Sequence, residues 1–410
     1  MLGPSIMNAT NRILIAGGGP VGLTAALALV RQGIPVTVCE ANLEPEKDQR
    51  AASFQPSTLD MLDAFDITRA ILPLGLVAPD FKFWDRPTGE LVATFDFSVL
   101  ADDTHYPFVL QYEQYKYVGT LLGILASEPD FEIRYGAPVC DITQTEAAVE
   151  VGVATSEGTE RLSGRFLIGA DGSKSFVRKG LGIEFEGFTY RERFLKICTP
   201  FRFEDHQDVA YRNYFADPDE TCNMFKVIGE EGVGLWRVIY PIPAEESDAE
   251  AQSADACQRR LERFFPRDVP YDIALREIYV VSQRVAATFH QGRVALAGDS
   301  AHVNHPVGGL GLNSGIHDAL GLSDALGRIW RGEADIEALE RYSRQRHTAA
   351  HRFVQAQTIH NKKMLEERDP AVRRRNLDEL GRTAEDPERA RRYLLNASLI
   401  DSVRAADAVA

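Results

Sequence analysis

The segment Arg12 to Glu40 limits the possible folds more than any other part of the chain. An apolar run, Ile13-Leu14-Ile15-Ala16, meets the turn Gly17-Gly18-Gly19-Pro20-Val21-Gly22. Apolar residues at helical spacing follow as far as Arg31, Gly33 sits where a left-handed helix cap belongs, and Ile34 to Cys39 reads as a second, β-branched strand. That order is one βαβ unit, and continuous apolar strands of this kind belong to a parallel sheet covered on both faces. The turn fits G-x-G-x-x-G. Gly17 permits the tight turn, Gly19 lets a diphosphate approach the backbone, and Gly22 lets helix and strand pack closely. The helix N-terminus, at Pro20 and Val21, offers free N–H groups and partial positive charge. Glu40 closes the second strand, where its carboxylate can accept from ribose hydroxyls. The bland alternative is a glycine turn in an ordinary buried βαβ unit.

Farther along, residues 77 to 97 carry short alternating segments punctuated by Pro87-Thr88-Gly89, which favours antiparallel strands. A helical pattern runs from Gln111 to Ser127, and strands are expected near 131–135, 149–155 and 166–168. The stretch 184–281 is strand-rich, interrupted by an amphipathic helix over 254–265. Beyond Arg293 to Ala297 the chain reads as helical, with Pro370 and Pro387 at helix starts. The expected architecture is α/β: a Rossmann-type cofactor domain built on a parallel sheet from residues 1–76, 103–185 and 283–360. A mostly antiparallel β domain for substrate (77–102 and 186–282) is inserted into it, and a helical C-terminal segment (361–410) follows.

Two further motifs follow buried strands. One is Gly169-Ala170-Asp171-Gly172, continuing to Ser175 and Arg178; the other is Gly298-Asp299-Ser300-Ala301-His302, continuing through Pro306, Gly309, Gly311, Leu312 and Asn313 to Asp318. Taken singly, each also reads as a strand-to-helix turn with a capping acid. Together, in this order, the three motifs resemble the glycine-rich, DG and GD fingerprints of class A FAD-dependent monooxygenases, the para-hydroxybenzoate and phenol hydroxylase family. The resemblance spans roughly residues 12–350.

The resemblance implies bound FAD and NADH or NADPH as co-substrate. It places Gly17, Gly19, Pro20, Val21 and Gly22 at the pyrophosphate and Glu40 at the adenosine ribose. Arg50 falls near the phosphate and ribityl region, and Gln111, read as opening a helix, falls at the ribityl chain with Asp299. Asp171 and Arg178 match the motif tied to both cofactors. Pro306, Gly309 and the backbone from Gly311 through Leu312 to Asn313 would face the flavin ring. The implied activity is hydroxylation of a small aromatic, phenolic or acidic, by oxygen through a C4a-hydroperoxyflavin. Leu310 and Leu312 stand where glutamine and methionine are commoner, a change of packing. The chain carries no thioredoxin-like extension, so dimerisation known from larger relatives does not transfer; a homodimer stays open.

Bulk properties narrow the partners. A net charge of −15 and no basic stripe argue against nucleic acid. Five scattered cysteines without a CxxC pair argue against a disulfide framework or a metal site, and fit a reducing compartment. The first apolar run is broken by glycines and Pro20, so neither a signal peptide nor a membrane span is expected, and the expected location is cytoplasmic.

Hydroxylating a phenol invites a general base. His302, His305, Tyr211 and Tyr214 are the candidates, His302 belonging to the GD motif. Met224, Phe225, Trp236 and Tyr240 read first as core and second as substrate wall. Arg191, Arg193 and Arg212 could meet a substrate carboxylate. Epoxidation and Baeyer–Villiger oxygenation on the same fold remain alternatives. Halogenation is disfavoured, because Leu235 to Tyr240 lacks the W-x-W-x-I-P pattern. A non-catalytic escort protein is the remote reading, opposed by intact Glu40, Asp171 and Asp299.

Overall fold

The computed structural model describes residues 11–409 apart from 48–50, 231 and 233. A six-stranded sheet runs in the spatial order 290–291, 294–296, 166–169, 13–16, 36–39, 131–134, parallel except for its first edge pair. Every residue of Ile13–Ala16, Val36–Cys39 and Phe166–Gly169 is buried, as apolar strands covered on both faces require. The helix Pro20–Val30 starts with proline at its first turn and is buried from Gly22 onward. Gly33, at φ +73°, reverses the chain into the second strand, a conformation that costs glycine little.

Across a cleft stands an eight-stranded sheet in the order 302–303, 275–286, 185–199, 235–242, 222–227, 212–216, 80–85, 90–96. It is antiparallel apart from the pair formed by Arg212–Ala216 and Asp80–Asp85. Its far face packs Leu195, Ile197, Met224, Trp236, Val238 and Tyr240 against the amphipathic helix Ala254–Phe264. The C-terminal helices Pro370–Glu385 and Pro387–Ala397 do not stand apart from this sheet. Leu377, Leu380 and Leu394 join Phe81 and Phe95 in one core.

The helical pattern expected from Gln111 begins later. Val109–Gln111 is a strand, paired with Leu76–Ala78 and Ser53–Phe54, and the helix is Gln114–Leu125. The run Val109-Leu110-Gln111 has its three side chains buried, and its backbone groups need sheet partners there. That need overrides the helical spacing, which takes hold only from Gln114.

Candidate active site

The three motif loops converge. With the facing sheet they enclose a cleft of about 670 Å³. Gly17, Gly18, Gly19, Pro20 and Val21 line it at the head of the first helix, and a side chain at Gly19 would meet nothing within 4 Å. Open space at Gly19 is what a diphosphate lying on the backbone needs. Gly22 turns inward instead: a Cβ there would sit 2.1 Å from the Gly17 carbonyl oxygen. Glu40 is held at the cleft edge by two amides, Gly18 N–H at 2.6 Å and Asn42 N–H at 2.8 Å, one on each carboxylate oxygen. Each oxygen keeps a lone pair for a ligand hydroxyl.

The DG loop brings Asp171 to the wall. Its Oδ2 accepts from Val177 N–H at 3.0 Å, while its Oδ1 is buried with no partner among the described residues. An orphaned acceptor of this kind fits a ligand that brings hydroxyl donors. Asp299, Pro306, Gly309, Gly311 and Leu312 line the same cleft. Gly311 and Leu312 open the 21-residue helix Gly311–Arg331, whose first N–H groups have no intrahelical partners. The residues present thus fit a dinucleotide with a polyol segment and an electron-accepting ring.

Several of the expected site residues spend their side chains on bonds within the protein. Arg178 does not line the cleft; its Nη1 donates to Ser300 O (2.7 Å) and its Nη2 to Ser173 O (2.9 Å), joining the DG and GD loops. Asn313 likewise spends its side chain on structure, accepting from Gln55 N–H (2.8 Å) and donating to Ser53 O and Gly309 O. Gln111 lies fully buried; its Oε1 accepts from Ser53 Oγ at 2.5 Å, and its Nε2 is left without a partner among the described residues. The glutamine that opens the helix and lines the cleft is Gln114, and its side chain makes no hydrogen bond to the described residues. Arg50 lies outside the described residues.

His302 is sealed beneath the GD turn. Its Nε2 is 2.7 Å from Asp318 Oδ2, and Asp318 also accepts from Gly298 N–H (3.0 Å) and Arg346 Nε (2.6 Å). Although burial opposes ionisation, His302 and Arg346 hold the Asp318 carboxyl below its ordinary range. This network pins the turn that presents Asp299. His305 is buried between the rings of Tyr190 and Phe194, and burial, with Lys362 nearby, pushes it down to about 3. Tyr211 is absent from the cleft wall and packs between two cores. Tyr214 stacks on Phe83 beside a separate chamber. Among the described residues no histidine lines the cleft. Of its two tyrosines, Tyr115 is pushed up to about 12 by burial, and Tyr279 higher still.

Strand parity sorts the sheet residues. Alternate side chains take opposite faces, so pairing Phe225 with Arg212 and Arg237 puts all three on one face. Lys196 joins them through its pairing with Ile239. That face looks into the cleft, whereas Met224, Trp236 and Tyr240 look into the far core. Arg193 is spent on Asp248 and Glu246, Arg191 is exposed, and Arg212 reaches the cleft.

A parallel sheet presenting three such loops, faced by an antiparallel sheet with an apolar and cationic inner surface, defines a flavoprotein of the dinucleotide-binding type. Comparison with known proteins makes this specific: the family described as FAD binding domain matches residues 10–357. The chain belongs to that family, as a class A flavin-dependent aromatic hydroxylase. It is 34 % identical to a para-nitrophenol 4-monooxygenase from Pseudomonas sp. (strain WBC-3), over 97 % of this chain and 98 % of that one. It is 29 % identical to the pentachlorophenol 4-monooxygenase of Sphingobium chlorophenolicum, over 84 % of this chain and 63 % of the relative. The crystal structure of p-nitrophenol 4-monooxygenase from Pseudomonas putida DLL-E4 superposes with a TM-score of 0.90 at 31 % identity, covering 96 % and 98 % of the two chains.

Proposed function

We propose that this chain is a single-component hydroxylase of a small phenol or aromatic acid, using NADH or NADPH and oxygen. The end-to-end likeness to a para-nitrophenol 4-monooxygenase carries this reading. The amides of Gly17 to Gly19 and the helix beginning at Pro20 take the pyrophosphate. Glu40 takes the adenosine ribose, Asp171 Oδ1 a cofactor hydroxyl, and Asp299 with Gln114 the ribityl chain. The N–H groups of Gly311 and Leu312 face the ring where negative charge gathers. A flavin held by these residues would supply the chemistry of transferring electrons from NADH or NADPH to O2, one oxygen atom going to an electron-rich ring and the other to water. The protein's share is to hold that ring between Phe225 and the glycine loop and to exclude water.

The same reading assigns 1–76, 103–185 and 283–360 to cofactor and 77–102 with 186–282 to substrate. It also sets the enzyme in the cytoplasm. No helix among the described residues is long and apolar enough to cross a membrane.

The test is anaerobic addition of NADH or NADPH to the FAD-loaded protein, following flavin bleaching with and without a panel of phenols and aromatic acids. Strong acceleration by one aromatic supports the reading and names the substrate class. Fast bleaching without any aromatic, or none with either nicotinamide, overturns it in favour of another flavin reaction.

A further inference from the structure

Three cations project from the sheet into the cleft, all nearly inaccessible: Lys196 is 1 % exposed, and Arg212 and Arg237 are 3 % exposed each. Lys196 is matched by Glu277 Oε2 at 2.7 Å, and Arg237 is engaged within the protein as well. Arg212 is different. Its hydrogen bonds both run through Nη2 to neutral oxygens, Tyr214 Oη at 3.1 Å and Gly308 O at 3.2 Å. Its Nε is buried without a partner, and among the described residues it makes no ion pair. A buried guanidinium left without a counter-charge is costly, and folded proteins keep such groups where a ligand completes them.

Its position says which ligand. Arg212 stands beside Gly309, on the turn leading to the ring-facing amides of Gly311 and Leu312, and Phe225 is its cross-strand neighbour. It lines both the large cleft and a second chamber of about 20 Å³, walled by Phe81, Phe83, Phe97 and Tyr393. A space of that size holds one water-sized group. Among the described residues no histidine lines the cleft, its tyrosines are shifted away from neutral pH, and Glu40, Asp171 and Asp299 are assigned to the cofactor, so the sheet wall around Arg212 offers no ready base for a phenol. A fixed cation supplies an alternative, since it favours the ionised form of a hydroxyl placed against it.

We propose that Arg212 is the specificity-determining residue of the site, binding the anionic oxygen of a monocyclic phenolate. The small chamber behind it limits the adjoining substituent to about the size of a water molecule. This rests on the reading of the cleft as a hydroxylase site. The substrate therefore binds as a preformed anion, with the proton left to solvent on the way in.

The test compares 4-nitrophenol with its neutral ether 4-nitroanisole on the FAD-loaded wild type, Arg212→Met and Arg212→Lys, reading ligand-induced changes in the flavin spectrum. In the wild type, 4-nitrophenol binding tightens as pH rises through that ligand's own ionisation. Arg212→Met weakens 4-nitrophenol at least about 30-fold and flattens that profile, and Arg212→Lys recovers part of the affinity. Binding of 4-nitroanisole changes less than about threefold. Unaltered nitrophenolate affinity in Arg212→Met overturns the assignment, as does loss of FAD in place of loss of phenolate, which would make the flavin the partner. A flavin-loaded wild type blind to both ligands overturns the hydroxylase reading, and this inference with it.

Discussion

Replacing Asp318 with asparagine removes the only carboxylate in the network beneath the GD turn and leaves the shape of the side chain almost unchanged. Asp318 is fully buried and accepts from three donors, while Arg346 is 5 % exposed and has no other carboxylate within reach among the described residues. An asparagine there offers one acceptor oxygen and turns an NH2 group towards donors. The Arg346 charge is then stranded. Breaking a buried pair in this way costs about 3–5 kcal/mol, a large share of the roughly 5–15 kcal/mol that holds a typical domain together. The pair of Arg331 with Glu333 is fully solvent-screened, so Glu333→Gln is the matched control. The assay is urea unfolding followed by tryptophan fluorescence, with flavin content measured on the same samples. Asp318→Asn should lose about 3–5 kcal/mol and release FAD at lower urea, because Gly298 loses its anchor. Adding Arg346→Met should recover part of the loss by removing the stranded charge. An Asp318→Asn protein within about 1 kcal/mol of wild type, or a double variant worse than the single, would refute the reasoning.

His317 is held neutral in the fold by burial, with Arg346 adding to the effect, which pushes it down to about 3 from 6.5. The unfolded chain therefore binds one more proton between those values, and stability falls as pH drops through that window, at about 1.4 kcal/mol per pH unit. His317→Gln should flatten the acid limb of the stability curve by about that slope, and an unchanged limb in urea titrations from pH 6 to 4 contradicts the account. Gln114→Leu should raise the dissociation constant for FAD about tenfold, the worth of one hydrogen bond, while Gln111→Leu should leave it within about twofold. Equal effects in fluorescence titration would undo the distinction between the two glutamines. Gly22→Ala forces the first helix away from Gly17 and should purify with less than about a tenth of the wild-type flavin content; full yellow colour would show that the close packing is dispensable.

The cofactor half of the fold was legible because its signals are local. Ile13 to Glu40 carries strand, turn, helix and acid within one short stretch, and each takes the place that its pattern announces. The side chains spent on bonds within the protein were not legible in the same way. Arg178 and Asn313 sit inside motifs, but what their side chains bond depends on loops more than a hundred positions away, at Ser300 for Arg178 and at Ser53 and Gln55 for Asn313. The substrate wall was hidden by parity. Met224 and Phe225 are both large and apolar, and a shift of one residue in register exchanges which of them meets the cleft. Arg212 lies on a strand held between its sequence neighbour Cys222–Val227 and the distant Asp80–Asp85, and the second pairing is one that local pattern does not reveal.

The small chamber beside Arg212 draws its walls from distant parts of the chain, Val307 and Gly308 of the GD loop among them. Phe81 and Phe83 come from an early strand and Phe97 from the short helix after the next strand, whereas Leu365, Tyr393 and Ala397 come from the tail helices, and Tyr393 stacks on Phe95 at 4.3 Å. None of the three flavin loops passes through that tail. On the assignment of Arg212 proposed above, substitutions at Leu365, Tyr393 or Ala397 recut the space offered to a ring substituent, whereas Asn361 abuts Gly308 of the GD loop. For an enzyme engineer, those three positions are where that assignment locates the control of substrate range.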